Sequence, residues 1–505
     1  MSPLRRDALT LLVLCLTTYL AFAKGRPWTE ATYQVQRSRL LVEQHALGSA
    51  APLVDFDIRG VDGRYYEVHS LLNILVHVPI VAVDRWLPHG GAHGAQASDF
   101  VASMSGVVIN SLSVMVFYVL LRGLDLSRRA SLTTTVALAF GTMVFPYAGM
   151  NYEGNADVLF LLLAAHQCFK FLRDASDRRA RHLAWCGLWC GIALFGRESN
   201  FALVALIGIA VLWDTWTTRR FAPLLSLAGA MLPFVLMLGW YNAIRTGTPF
   251  QTAITHRIGS GEYPFFEARS PYGILGLLAS PGGSMFVYSP MAFLALFGIR
   301  EAWRRFPRET ALGGAFTIIT IVSSGLLPKW FGLTGWGPRY MTPTLPFLLI
   351  ALAAWLDRPR QNPTVTARQR ALVLAFFVPA VTIQVAAALV NWQGRLVYML
   401  RRPELGEFVR WSPLMFTIRQ SQWWDAITSL CANIGHMITG RYPAEALAQV
   451  SETLSASSRY TTLTLDTWWN RLIFEGLPPL VVVAYLVASA AIVAACVASL
   501  RKQRA

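Results

Sequence analysis

Residues 101–129 read VASMSGVVINSLSVMVFYVLLRGLDLSRR, a run without a charge from Val101 to Leu121 followed by Arg122, Arg128 and Arg129. A helix of about 20 apolar residues, rising about 1.5 Å per residue, crosses a hydrocarbon core of about 30 Å. Basic residues closing such a run mark the side that stays in the cytoplasm. The same pattern recurs along the chain. Apolar segments lie at 8–23, 131–148, 155–172, 183–196, 200–213, 222–241, 285–299, 311–327, 340–356, 371–390 and 476–499. None shows the alternation of a barrel strand, so all are read as helices.

Composition supports this reading. Of the 505 residues 54% are apolar and 14% charged, against about 25% charged in an ordinary soluble domain. A soluble surface, a disordered chain and a disulfide scaffold are all excluded. The net charge of +16 comes from arginine: of 44 basic residues only Lys24, Lys170, Lys329 and Lys502 are lysine. Because the basic clusters sit between apolar spans, they read as positive-inside loops, and nucleic acid is not an expected partner. Cys186 and Cys190 share a helix face, but no second pair completes a metal site, so they read as core residues.

The basic connections at 122–129, 173–181, 219–220, 300–308 and 358–370, with the tail Arg501-Lys502-Gln503-Arg504, fall on one side if the spans alternate. Both termini are then cytoplasmic. Ala21-Phe22-Ala23 resembles a signal-peptidase site, yet an uncleaved first span is expected. Residues 68–87 are apolar enough to cross, but a full crossing would turn the arginines of 122–129 outward. They are therefore read as re-entrant or interfacial. The expected architecture is all-α and polytopic, with about 12 transmembrane helices (12–13) and juxtamembrane helices on the outer face. Residues 1–390 form the core, including the outer loop 24–68. Residues 391–475 form a Trp-rich outer segment lying on the membrane surface, and 476–505 the last helix and basic tail.

Candidate chemistry crowds the outer side. The loop from Lys24 to His69 holds Glu30, Asp55, Asp57, Asp62 and Glu67 among Arg37, Arg39, Arg59 and Arg64. Carboxylates serve as bases for a hydroxyl or hold a metal, and guanidiniums pair with phosphate. Glu153 and Asp157 flank the outer end of one span, and Arg197-Glu198 sits in a tight outer turn. These read equally as functional groups or as a cross-helix ion pair. Arg245, Lys329 and Arg339 stand at outer span ends. Ser280-Pro281-Gly282-Gly283-Ser284 reads either as a helix breaker or as a turn whose N–H groups cradle an anion.

The stretch Thr29-Glu30-Ala31-Thr32-Tyr33, then Gly60-Val61-Asp62-Gly63-Arg64-Tyr65-Tyr66 before His69 and an apolar helix, resembles the GT-C class of polytopic glycosyltransferases. Within it, the chain is similar to the branch of the protein O-mannosyltransferases and the lipid A aminoarabinose transferase. Trp240-Tyr241-Asn242-Ala243-Ile244-Arg245 and Gly335-Trp336-Gly337-Pro338-Arg339-Tyr340 extend the resemblance over roughly the first 355 residues. Glu30 and Tyr33 take the acidic and Tyr positions of the family motif, while Thr29 stands where many members have Asp.

The resemblance implies a bacterial plasma-membrane enzyme of the cell envelope. It would move a sugar from a polyprenyl-phosphate donor to an envelope acceptor hydroxyl on the extracytoplasmic face. Glu30 would be the base, with Asp55 and Asp57 as rivals. Tyr33, Arg59, Arg64, Tyr65, His69, Glu153, Arg197, Arg245, Lys329, Trp336 and Arg339 would bind substrate. A divalent cation, Mg or Mn, is left open as cofactor. The alternative is a transporter or flippase of a lipid-linked anion.

Overall fold

The computed structural model describes residues 2–26, 30–54, 57–84, 97–150, 152, 154–174, 178–259, 272–327, 330–332, 335–358, 363–392, 413–441, 462–474 and 476–502. Among these, the fold is helical apart from one two-stranded hairpin, β1 (Ile58–Arg59) with β2 (Tyr65–Tyr66), paired antiparallel with Arg59 opposite Tyr65. α1 (Pro3–Phe22) is followed by α2 (Glu30–Gln44), the hairpin and α3 (Leu71–Asp84). Then come α4 (Ala97–Ser103), α5 (Ser105–Gly123), α6 (Arg128–Phe140), α7 (Val144–Ala148), α8 (Gly154–Arg173), α9 (Arg179–Gly196), α10 (Phe201–Thr218) and α11 (Ala222–Thr246).

Seven helices among the described residues are long and apolar enough to cross a membrane: Phe100–Gly123, Gly154–Arg173, Glu198–Thr218, Ala222–Thr246, Arg339–Leu356, Ala367–Leu389 and Pro479–Lys502. Each coincides with a segment expected from the sequence. The other five expected spans are present as helices of different character. Arg5, Arg6 and Asp7 occupy the first turns of α1. The 131–148 run is broken between α6 and α7 at Gly141–Met143, and 285–299 is broken at Ser289, before Pro290. Pro290 lacks the N–H that would carry the helix through the second of those breaks. α9 and α12 (Pro307–Gly325) carry charges in their first turns. Of residues 68–87, expected as one re-entrant or interfacial segment, Leu71–Asp84 form the apolar helix α3 of 14 residues, shorter than the about 20 that a crossing takes, and 85–87 lie outside the described residues.

The spans differ in burial. Within the protein lie 78% of the Arg339–Leu356 window and 72% of Gly154–Arg173, against 11% of Ala222–Thr246 and 17% of Pro479–Lys502. The first two are the centre of the bundle. The last two expose Leu232, Leu236, Trp240, Leu480 and Val487, a surface that suits lipid rather than water.

The basic connections do gather at one end. Asp7 accepts from Arg128 Nε at 2.6 Å and Nη2 at 2.8 Å, and from the Tyr118 hydroxyl at 2.8 Å. Arg128 also donates to the Leu500 carbonyl, beside the tail. Asp357 accepts from the Ser127 N–H and from Arg305. The hairpin, α2 and α3 belong to the opposite end, beside the C-terminus of α11, where Val61 N–H donates to Ile244 O at 3.1 Å.

Two described pieces of the Trp-rich segment lock onto the core: α13 (Gln422–Thr439), and residues 462–474 with α14 (Trp468–Phe474). Asp466 accepts an ion pair from Lys24 at 3.2 Å and another from Arg26 at 3.1 Å, and its N–H donates to Leu389 O. Trp468 and Trp469 donate from their indoles to Leu20 O and Ala21 O at the end of α1. Burial pushes the Lys24 ammonium down, opposed by the pull of Asp466. The last helix, α15 (Pro479–Lys502), packs against α1.

Candidate functional site

The family-like turn Gly60–Arg64 is the tip of the hairpin. Gly60 N–H donates to Arg64 O, and Gly63 takes a φ of +81°, which suits glycine. Asp62 accepts from Arg64 N–H at 3.0 Å and from the Tyr66 hydroxyl at 2.8 Å. Burial, then this bond to Asp62, raises the Tyr66 phenol well above its ordinary range. Arg59 and Arg64 are exposed, Tyr65 and His69 half-buried. A Cβ on Gly60 would meet the Tyr66 ring and Ile244 O, so the tip packs closely against α11.

Behind the hairpin, α2 supplies buried polar groups. Arg37 Nη2 lies 2.6 Å from Asp57 Oδ2 with both side chains buried, and Arg37 Nη1 donates to Tyr65 O at 3.0 Å. Asp57 Oδ2 also accepts from the Leu53 N–H at 2.7 Å. Gln34, one turn along α2 from Glu30, donates to Glu67 Oε1 at 3.3 Å. Glu30 opens α2, and Tyr33 is half-buried one turn on.

Arg245, fully buried near the end of α11, is the hub of this side. Its Nη1 donates to the carbonyls of Glu67, Val68 and His69 at 3.0, 2.9 and 3.0 Å. Its Nη2 donates to Asn242 Oδ1 at 2.6 Å and lies 3.7 Å from Glu198 Oε1. The guanidinium also stands 4.1 Å from the Tyr241 ring centroid. Expected as a substrate ligand, Arg245 here braces the backbone where the hairpin turns into α3. Nη1 carries two hydrogens, so its three carbonyl contacts share them, while the planar fork leaves Nη2 for Asn242.

Next along this chain of contacts, Arg197 pairs with Asp157 at 3.3 Å, and Asn200 Nδ2 donates to the same carboxylate at 2.7 Å. This is the cross-helix pairing that the sequence left open. It joins the turn before α10 to the first turn of α8.

Tyr152, just before α8, begins the second wall. Arg339 is buried, its guanidinium 5.4 Å from the Tyr152 ring centroid and 5.5 Å from that of Tyr340. Tyr147 stacks on Tyr152 at 4.5 Å and donates its hydroxyl to Trp336 O at 2.9 Å. Trp336 is fully buried between Tyr288 and Trp392. It is a wall of the core, with its indole N–H on Gln384 Oε1 at 3.2 Å. Arg339 thus sits at the mouth of the most buried span, against an aromatic wall.

The fold decides between the two readings of Ser280–Ser284. Gly282 N–H donates to Met415 O, Gly283 N–H to Ser280 Oγ, and Ser284 N–H to Ser280 O. These donors are taken, which leaves a helix breaker and not an anion cradle. Asp55, Glu153 and Lys329 lie outside the described residues. Among the described residues, no three His, Cys, Asp or Glu side chains gather closely enough to hold a metal ion. The partners that sequence reasoning missed are the amides Gln34, Gln384, Gln422 and Asn200. Isolated amides carry no motif, so no signal could have found them.

Residues 80–240 match the family model described as dolichyl-phosphate-mannose-protein mannosyltransferase. This stretch carries Tyr147, Tyr152, Asp157 and Arg197, and ends before Arg245. The Archaeoglobus fulgidus oligosaccharyltransferase, solved in complex with Zn and sulfate, superposes with a TM-score of 0.51 at 12% identity, over 84% of this chain and 61% of that one. At that identity the likeness shows a shared fold and nothing more. ArnT from Cupriavidus metallidurans, bound to undecaprenyl phosphate, aligns at 15% identity over 89% of this chain and 80% of its own, with a TM-score of 0.48. No curated protein sequence matches the chain.

Proposed function

We propose that this chain is a glycosyltransferase that moves a sugar from a polyprenyl-phosphate donor to an envelope acceptor hydroxyl on the extracytoplasmic face of the bacterial plasma membrane. The observation that carries the reading is the buried guanidinium of Arg339 at the mouth of the central span, walled by Tyr152 and Tyr340. A cation held there suits a lipid phosphate, whose charge grows as it leaves. The dolichyl-phosphate description of the matching family supports the donor class.

In this mechanism Glu30 takes the proton of the acceptor hydroxyl. The acceptor oxygen attacks the anomeric carbon, the bond from that carbon to the phosphate oxygen breaks, and the lipid phosphate departs toward Arg339. Asp55 stays a rival for the base. The buried ion pair of Asp57 with Arg37 favours a structural part for that residue. Exposed Arg59 and Arg64 at the hairpin tip suit the acceptor side. Residues 391–475 complete the same face, and both termini lie in the cytoplasm.

A flippase is the competing reading, and proteoliposomes separate the two. Donor and acceptor are supplied on the face carrying the hairpin. Label appearing in the acceptor fraction supports a transferase. Label crossing the bilayer still attached to lipid phosphate, with none in the acceptor, overturns it.

A further inference from the structure

The turn before Arg339 has an unusual build. Gly332 and Gly337 take φ of +91° and +57°, and a Cβ on Gly337 would enter the Tyr288 ring. Glycine permits this path, but permission is not rigidity. Rigidity comes from side chains of three other elements. Tyr147 holds Trp336 O, and Gln384, from the helix Pro363–Leu389, holds the Trp336 indole. Gln422, at the start of α13, does more. Its Oε1 accepts from Gly337 N–H at 2.9 Å and its Nε2 donates to Gly335 O at 3.0 Å. One amide therefore spans Trp336 as a neighbouring strand would, two residues before Arg339.

Gln422 is itself fixed. It is buried, and the next residue, Trp423, donates its indole N–H to Pro281 O at 2.8 Å. The helix that carries it turns Gln422, Ser429 and Asn433 inward and Trp424, Ile434 and Ile438 outward. An inward polar face on a helix beside a membrane needs internal partners, and two of these three residues make paired contacts. Gln422 holds the Gly335–Gly337 turn. Asn433 holds Thr462 O and Thr464 O, away from Arg339.

We infer that Gln422 is a positioning residue for the donor phosphate: it clamps the Gly335–Gly337 turn so that the Arg339 guanidinium stays aimed at the lipid phosphate. This rests on the reading of Arg339 as the phosphate-binding cation. It makes α13, from the segment expected to lie on the membrane surface, part of the donor site.

The test uses the full chain in detergent and undecaprenyl phosphate as the probe. Gln422→Met keeps the volume and removes both hydrogen bonds. Its affinity should fall at least about tenfold, the scale of one lost buried hydrogen bond. Asn433→Leu, an equally buried change on the same helix, should bind as wild type even if its melting temperature falls. Arg339→Ala should lose affinity, and the double variant Arg339→Ala/Gln422→Met should bind no more weakly than Arg339→Ala alone, because Gln422 acts through Arg339. If Gln422→Met does not accumulate, Gln422→Glu keeps the acceptor for Gly337 N–H, drops the donor to Gly335 O, and should still weaken binding. Wild-type affinity in Gln422→Met or Gln422→Glu, or an equal loss in Asn433→Leu, overturns the positioning role and leaves Arg339 untouched. Wild-type affinity in Arg339→Ala instead removes the reading beneath it.

Discussion

Arg245 donates from a single nitrogen to three consecutive carbonyls, of which the Glu67 carbonyl, at 3.0 Å, is the first. The end of a lipid-facing helix is thereby tied to the corner where the hairpin becomes α3. That corner sets where the hairpin tip and α2 lie, and with them the face on which the proposed chemistry takes place.

Arg245→Lys keeps the charge and loses the fork. An ammonium has three N–H donors, so it cannot meet the three carbonyls and Asn242 Oδ1 together as the two nitrogens of the fork do. At least one buried acceptor is then left unmet, at a cost of about 1–3 kcal/mol. Arg245→Lys should lower the melting temperature in detergent and reduce turnover, measured on the same preparation. Wild-type melting would show that the acceptors around Arg245 do not need the fork.

The Arg37–Asp57 pair predicts a different outcome. Both side chains are buried, 2.6 Å apart. Removing one partner of a buried pair costs about 3–5 kcal/mol, because the other is stranded. Asp57→Asn should therefore unfold early. Arg37→Met/Asp57→Leu together should recover much of the loss, and thermal melts of the three proteins decide it. Asp57→Asn with wild-type melting and no turnover would return Asp57 to the role of base.

Lys24 and Asp466 give a pH dependence. Burial lowers Lys24 from its ordinary 10.5, while Asp466 pulls the other way. A base with a lowered folded pKa binds fewer protons folded than unfolded. Stability therefore rises with pH from the folded pKa up to 10.5. Asp466→Asn removes the opposing pull and extends that window downward. The stability deficit of Asp466→Asn should be largest at neutral pH and shrink as pH approaches 10.5, read from melts across that range. A deficit that grows with pH would contradict the pairing.

Much of the architecture was legible in the sequence. Six spans could be read directly from charge-free length, a seventh, 155–172, from an apolar run whose only charges are Asp157 and Lys170, and the common end of the arginine loops from alternation. Five further helices were legible as apolar runs but not as to where they break. The break at Ser289 depends on the following Pro290, and α6 ends at Gly141, where the chain turns into α7. The site was legible as a set of charges but not as a set of pairings. Arg197 and Asp157 lie 40 residues apart, and Gln422 and Gly337 lie 85 apart. Such pairs arise from helix packing and leave no local pattern. Arg245 shows the same limit: a basic residue at a span end reads as a ligand or a lipid contact until the carbonyls it meets are known.

Arg339 carries a prediction about chemistry. Arg339→Lys should keep part of the affinity for undecaprenyl phosphate, because a point charge still attracts phosphate. Arg339→Ala should lose about tenfold or more. Equal affinity in all three proteins would remove the phosphate from this end of the central span.

The most direct measurement is release of free polyprenyl phosphate. Membranes containing the wild-type chain receive a panel of radiolabelled polyprenyl-phosphate sugars with native acceptor extract, beside Glu30→Gln made at equal level. Release by the wild type with one donor, and none by Glu30→Gln, is the predicted result. No release by well-folded wild type with any donor contradicts the account of this chain as a transferase.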